Sequence, residues 1–142
     1  MKEIQGELWD YYGKPGYVVL ITTNGTVKAN GEVVMGRGCA AEAKRRFPGI
    51  AKTLGELIKW NGNTVFEPVP GVYSFPVKHN WYEQADLLLI AESCLFLKDR
   101  ACATPEVTYV LPRPGCGNGH LTWEQVHPVV ECLPDNVWVI SR

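Results

Sequence analysis

Three short runs, Tyr17-Val-Val-Leu-Ile21, Val107-Thr-Tyr-Val-Leu111 and Val137-Trp-Val-Ile140, are almost wholly β-branched, aliphatic or aromatic and are bounded by Gly, Pro or Asn. A strand that alternates apolar and polar residues needs cover on one face only, whereas runs without alternation need cover on both, which demands a sheet between two helical layers. Helical stripes lie between the runs. Ile50, Leu54, Leu57 and Ile58 fall at i, i+4, i+7 and i+8, and Leu87, Ile90, Ala91, Cys94 and Leu95 repeat the stripe,. A shorter helix is expected over Cys39–Phe47, stopped by Pro48-Gly49, and another from the capping box Thr122-Trp-Glu-Gln125 to about Cys132,. Asn80 with Glu83 offers a similar start for the helix of the second stripe,. Weaker strands are expected at Lys2 to Glu7, Val65 to Glu67 and Val72 to Phe75. The expected fold is α/β, three layers (α/β/α) about a mixed, largely parallel sheet, with the mixed pairing near the N-terminus. With 142 residues, the chain is expected to form one domain over residues 1–142,.

Charge limits the classes of partner. The 14 Lys and Arg against 15 Asp and Glu leave a net charge of -1, which excludes a grip on nucleic acid by bulk positive charge,. Locally the balance differs, since Lys28 to Lys59 holds seven basic and three acidic residues,. The five cysteines include no Cys-x-x-Cys pair and form an odd set, so neither a zinc site nor a disulfide framework is expected, and a reducing cytoplasm fits them,. No apolar stretch approaches the roughly 18 residues of a membrane span, and no membrane association is expected.

Ligands of parallel α/β sheets sit beyond the carboxyl ends of strands, and two segments leaving strands are rich in glycine. The first follows Ile21 and reaches Met35-Gly-Arg-Gly-Cys39 at the start of a helix; the second, Pro112-Arg-Pro-Gly-Cys-Gly-Asn-Gly-His-Leu-Thr122, leads into the capped helix. Glycines before a helix let backbone N–H groups approach an anion, and the helix terminus adds partial positive charge. Turn-making is the competing reason for either loop alone. No G-x-x-x-x-G-K-[ST] phosphate loop occurs, and Gly36-Arg-Gly38-Cys-Ala-Ala41 stands fourteen residues from the preceding strand, too far for a dinucleotide fingerprint,. Two such loops together fit a diphosphate that links two sugars.

These segments resemble the macrodomains, the ADP-ribose-binding fold, and within them the branch of terminal ADP-ribose protein glycohydrolase and the antitoxin macrodomains that take ADP-ribose off DNA. The anchors run in order over nearly the whole chain: Gly6-Glu-Leu8, Asn24, Val34-Met-Gly-Arg-Gly-Cys-Ala-Ala41, Phe75-Pro-Val-Lys78 with Trp81, and Pro112-Arg-Pro-Gly-Cys-Gly-Asn-Gly119 with Trp123-Glu124. The resemblance implies an ADP-ribose cleft lined by Glu7, Leu8, Asn24, Met35, Gly36, Arg37, Gly38, Cys39, Pro112, Gly115, Cys116, Gly117, Asn118, Gly119, His120 and Leu121. It puts the acidic side chain at position 7 on the adenine amino group, Asn24 at the distal ribose and the glycine loops around the diphosphate. Glu7 is one methylene longer than the Asp usual there, and the stretch Val27–Glu32 lengthens the first loop at the mouth beside the distal ribose.

Lys78 carries the chemistry that the resemblance implies. A lysine after a strand is ordinarily a solvated charge, and a nucleophilic amine needs a desolvated or cation-rich site. In the family branch, the lysine of Phe-Pro-x-Lys attacks the anomeric carbon of the distal ribose. The protein-directed enzyme also has an aspartate two positions after its Gly-Cys-Gly triplet; here that position is Gly119, as in the DNA-directed type. His120 is the neighbouring group able to move a proton, and its competing role is cover over the phosphates. Cys39 and Cys116 read as packing residues, as do Trp81 and Trp123. The reading is an ADP-ribosyl glycohydrolase with catalytic Lys78, Asn24 and His120, no cofactor and no metal. Its partners are ADP-ribose or an ADP-ribosylated macromolecule, DNA or protein, and an ADP-ribosyltransferase toxin as counterpart. A non-catalytic reader of ADP-ribose and a phosphatase acting on ADP-ribose-1''-phosphate stay open as alternatives.

Overall fold

The structure is a computed structural model that describes residues 1–142. Five strands, β1 (Lys2–Gln5), β2 (Tyr17–Asn24), β3 (Val72–Lys78), β4 (Thr108–Pro112) and β5 (Val137–Ser141), form one sheet in the order β1-β5-β4-β2-β3. All four ladders are parallel. The mixed pairing expected near the N-terminus is therefore replaced by a parallel β1–β5 ladder, because β1 reaches the far edge of the sheet and runs alongside the last strand; antiparallel pairing survives only as isolated bridges at Val27–Val33 and Val69–Val72. Val65 to Glu67 forms no strand, although the Phe66 N–H donates to Ser74 Oγ at 2.9 Å.

Helices α1 (Gly38–Arg46) and α2 (Ile50–Asn61) cover one face, where Ala40, Ala43, Ile50, Leu54 and Ile58 pack on Val19, Ile21, Val72 and Val110. The other face carries α3 (Leu87–Ala103) and α4 (Trp123–Val130), whose Ile90, Cys94, Leu97, Val126 and Val130 meet Leu20, Phe75, Tyr109 and Leu111. Neighbouring strand residues thus point into opposite cores, which is why their runs lack polar alternation. The resulting structure has the expected three layers. No helix is long and apolar enough to cross a membrane.

The helix boundaries follow local chemistry with one exception. The Thr122 hydroxyl accepts the Gln125 N–H at 3.2 Å, and Gln125 Oε1 accepts the Thr122 N–H at 2.9 Å, completing the expected capping box,. Asn80, in contrast, caps nothing: Asp86 accepts the Leu88 N–H at 2.9 Å and starts α3 there. Asn80 and Glu83 close a turn instead, through Asn80 Nδ2 to Glu83 Oε1 at 2.8 Å.

Candidate functional site

The chain leaves β2 toward β3 on one side of the sheet and leaves β4 toward β5 on the other, so β2 and β4 flank the point where strand order reverses. That geometry opens a crevice at their carboxyl ends. The two glycine loops emerge there, and a cleft of about 1160 Å³ lies between them, bounded by Leu8 and Trp9 at one side and by Asn24, Lys78 and Trp81 at another. Its volume suits a dinucleotide-sized ligand.

The first loop is long but not loose. Val33 is fully buried, its N–H donates to Ala51 O at 3.0 Å, and the Val34 N–H donates to Thr26 O at 2.9 Å. Beyond it, the amides from Gly36 to Ala40 donate to no protein acceptor, and Arg37 at the head of α1 supplies no side-chain cap. An uncapped helix start with a row of free N–H groups is an anion site in waiting. In the second loop the amides of Cys116, His120 and Leu121 are spent on Arg113, Gly117 and Gly115 carbonyls, while those of Gly117, Asn118 and Gly119 remain free to face a ligand. The loops meet where Gly38 faces the Asn118 side chain.

Asn24 and Lys78 end neighbouring strands. A register shift after Thr23 pairs Asn24 with Lys78, not with Val77, so the two stand across from each other at about the 4.8 Å inter-strand spacing,. The Asn24 amide is half committed: Nδ2 donates to Val34 O at 3.0 Å and Oδ1 accepts the Thr26 N–H at 3.0 Å. One N–H and one lone pair are left. The Lys78 carbonyl is held by Asn63 Nδ2 at 2.9 Å and its amine donates to Trp81 O at 3.3 Å. Partial burial, and after it the Arg37 guanidinium, holds the Lys78 ammonium below the usual lysine range,. Both causes favour the neutral amine, the form with a lone pair to give.

His120 is exposed at the cleft and is the one non-glycine residue in the left-handed region, with φ 62°. The cleft gathers Leu8, Asn24, Met35, Gly36, Arg37, Gly38, Cys39, Lys78, Pro112, Gly115, Cys116, Gly117, Asn118, Gly119 and His120 in its wall, and leaves out two residues expected there. The Glu7 carboxylate accepts from Arg142 Nε at 3.0 Å and is thus committed to an arginine that itself lines the cleft. Leu121 points down into the core, 7% exposed.

Burial pushes the thiols of Cys39 and Cys116 up, so neither is a ready nucleophile, in keeping with their reading as packing residues,. Trp81 departs from that reading: it is 51% exposed at the cleft mouth. Trp123 packs at the start of α4 with the Arg113 guanidinium 4.6 Å from its ring. Thr22, Thr23, Trp9, Arg113 and Arg142 also line the cleft and were not expected. Thr22 and Thr23 carried a usable signal, since they directly precede Asn24 at a strand's carboxyl end; Arg142 carried none. No group of three or more His, Cys, Asp or Glu side chains is placed to hold a metal ion.

No family model matches the chain. Among solved structures it is similar to the macrodomain of Thermus aquaticus DarG, with a TM-score of 0.77 and 25% identity over 99% of this chain and 97% of that one. It is also similar to the macrodomain of Mycobacterium tuberculosis DarG, with a TM-score of 0.74 and 25% identity over 98% and 95% of the two chains. The chain has the macrodomain fold. A Thermosipho africanus DarTG structure solved in complex with ADP-ribose shares the fold at a TM-score of 0.74, with 17% identity, over 98% of this chain and 41% of that chain. In sequence the chain is 28% identical to a DNA ADP-ribosyl glycohydrolase of Thermus aquaticus along 125 residues, taking in 75% of its own length. It spans about a third, 34%, of that relative.

Proposed function

We propose that this macrodomain binds ADP-ribose joined to DNA and hydrolyses it off, with Lys78 as the nucleophile. The observation that carries the reading is the pairing of Asn24 with Lys78 at the carboxyl ends of β2 and β3, inside a cleft flanked by two rows of free amides. The amides from Gly36 to Ala40 and from Gly117 to Gly119 take the diphosphate, and the remaining hydrogen-bonding capacity of Asn24 orients the distal ribose. The similarity to a DNA ADP-ribosyl glycohydrolase supports DNA as the carrier. So does the second loop, where an ideal Cβ on Gly119 would lie 2.5 Å from Gly115 O, leaving no room for the acid of the protein-directed type.

The neutral Lys78 amine gives its lone pair to the anomeric carbon. The bond from that carbon to the modified base breaks, its electron pair departs with the base, and the base takes up a proton, for which His120 is the assigned donor. Loss of the amine proton with ring opening leaves an imine, and water adds to it, releasing ADP-ribose and the amine. One water is consumed. An ADP-ribosyltransferase that modifies DNA is the counterpart such an activity requires, and we place the work in the cytoplasm, the reducing compartment that five unpaired thiols suit,.

The test compares the intact protein with Lys78→Ala on ADP-ribosylated DNA, ADP-ribosylated protein and ADP-ribose-1''-phosphate. Release from DNA is expected, falling at least about 1,000-fold in the variant, in line with the loss of a nucleophile. ADP-ribose binding without release from any substrate would identify a reader, and turnover of the phosphate ester alone a phosphatase. Full turnover by Lys78→Ala would leave the activity standing and remove the mechanism.

A further inference from the structure

Large aromatic side chains at a cleft rim call for a reason, since burial is their usual gain. Trp81 and Tyr82 are adjacent, 51% and 69% exposed, and both line the cleft mouth. Their rings meet edge to face, 5.8 Å between centroids and at 90°. The pair is fixed in place. The Trp81 N–H donates to Thr26 Oγ1 at 3.0 Å, the Thr26 N–H donates to Asn24 Oδ1 at 3.0 Å, and Trp81 O accepts from the Lys78 amine at 3.3 Å. The Asn80–Glu83 turn closes beneath it, with the Glu83 N–H on Asn80 O at 3.1 Å.

One hydrogen-bonded chain therefore runs from Asn24 through Thr26 and Trp81 to Lys78. A group carried on a ribose held at Lys78 would lie beside these rings, which line the same cleft. Lys28, itself paired with Glu32 Oε1 at 3.9 Å, and Arg37 line the same cleft, as does the Glu83 carboxylate, which accepts from Asn80 Nδ2 and keeps its charge. Flat apolar faces beside cations are the elements that hold unpaired nucleobases and their backbone, and they do so with little regard to sequence. Bases inside a duplex do not offer their faces.

We propose that Trp81 and Tyr82 form a stacking platform for the ADP-ribosylated base and its neighbour, so that the carrier's unpaired bases are read at the cleft mouth as well as the ADP-ribose within it. This rests on the reading of the cleft as an ADP-ribose site, and adds a specificity element outside it. A modified Glu or Ser side chain has no planar group to place there.

The experiment measures equilibrium binding of an ADP-ribosylated single-stranded oligonucleotide, the same site in a duplex, an ADP-ribosylated peptide and free ADP-ribose, in a Lys78→Ala background that blocks turnover. Trp81→Ala and Tyr82→Ala are each expected to weaken the single-stranded oligonucleotide by about 5- to 150-fold, the range of one stacked base. Free ADP-ribose and the peptide should weaken by less than about twofold, and Trp81→Phe should recover most of the loss. Trp60→Ala, which removes an exposed Trp on α2, serves as the control. Equal weakening of free ADP-ribose would make Trp81 part of the ADP-ribose pocket and overturn the platform. Unchanged oligonucleotide affinity, equal weakening of the peptide, or a duplex bound as tightly as the single strand would overturn it too. If no ADP-ribosylated ligand binds even the parent protein, the underlying reading has failed, a result distinct from these.

Discussion

The two glycine loops look alike in sequence and differ in what their glycines are for. At Gly36 an added Cβ would meet nothing within 4 Å, so the protein itself has no use for the missing side chain. At Gly119 an added Cβ would lie 2.5 Å from Gly115 O and 2.7 Å from Ala85 Cβ, and Gly115 has φ 77° with Ala85 and Ile90 at 3.0 Å. The helices behind them differ in the same sense, since α1 starts without a side-chain cap while α4 starts inside a complete capping box. The first loop keeps its donors open for a ligand, whereas the second has used its helix terminus on itself and offers only amides of the loop.

The largest expected effect lies in the packed loop. Gly119→Ala should destabilise the fold by about 3 kcal/mol, the upper range for overpacking, read as a lower urea midpoint at unchanged slope. A loss below about 1 kcal/mol would show that the loop can move aside, and would erase the contrast. Next comes the open loop: Gly36→Ala should leave stability unchanged or raise it by up to about 1 kcal/mol, because the residue finds space and the unfolded chain loses freedom. Its ADP-ribose affinity should nevertheless fall about tenfold by calorimetry, worth about 1.4 kcal/mol, since the methyl stands where the diphosphate approaches. Normal affinity in that variant would mean that the first loop does not carry the phosphates.

The smallest effect is a shift along the pH axis. Arg37 disfavours the Lys78 ammonium, so Arg37→Ala should raise the lysine's pKa, lower the neutral fraction at a given pH and move the rising limb of the single-turnover rate to higher pH,. The direction follows from like charge alone. A profile moving to lower pH, or not moving, would remove Arg37 from the electrostatics of the amine.

Much of the fold was legible because it rests on local pattern. Unbroken apolar runs demanded cover on both faces, the stripes from Ile50 and Leu87 marked helices, and Thr122 with Gln125 announced a helix start. Legibility failed where two local signals were equivalent. Asn80-x-x-Glu83 and Thr122-x-x-Gln125 have the same form, yet Asp86 takes the capping role for α3 and leaves Asn80 to a turn. Glu7 is committed to Arg142, a partner 135 positions away that no local pattern announces. Trp81 reads as a packing residue in a sequence with no array of exposed aromatics, and only the fold shows its ring at the rim.

By itself the sequence determined the layers, the strand and helix patterns, and the two amide-rich loops, since each follows from periodicity or from the backbone freedom of glycine over a few residues. The tertiary structure alone decided which of those features converge. The shift after Thr23 that sets Asn24 against Lys78, the turn of Glu7 toward Arg142, and the difference between a glycine kept for a ligand and one kept for its neighbours all depend on residues distant in the chain. Their energies come from contacts between strands and loops, and no local pattern encodes a contact whose other half lies elsewhere in the sequence.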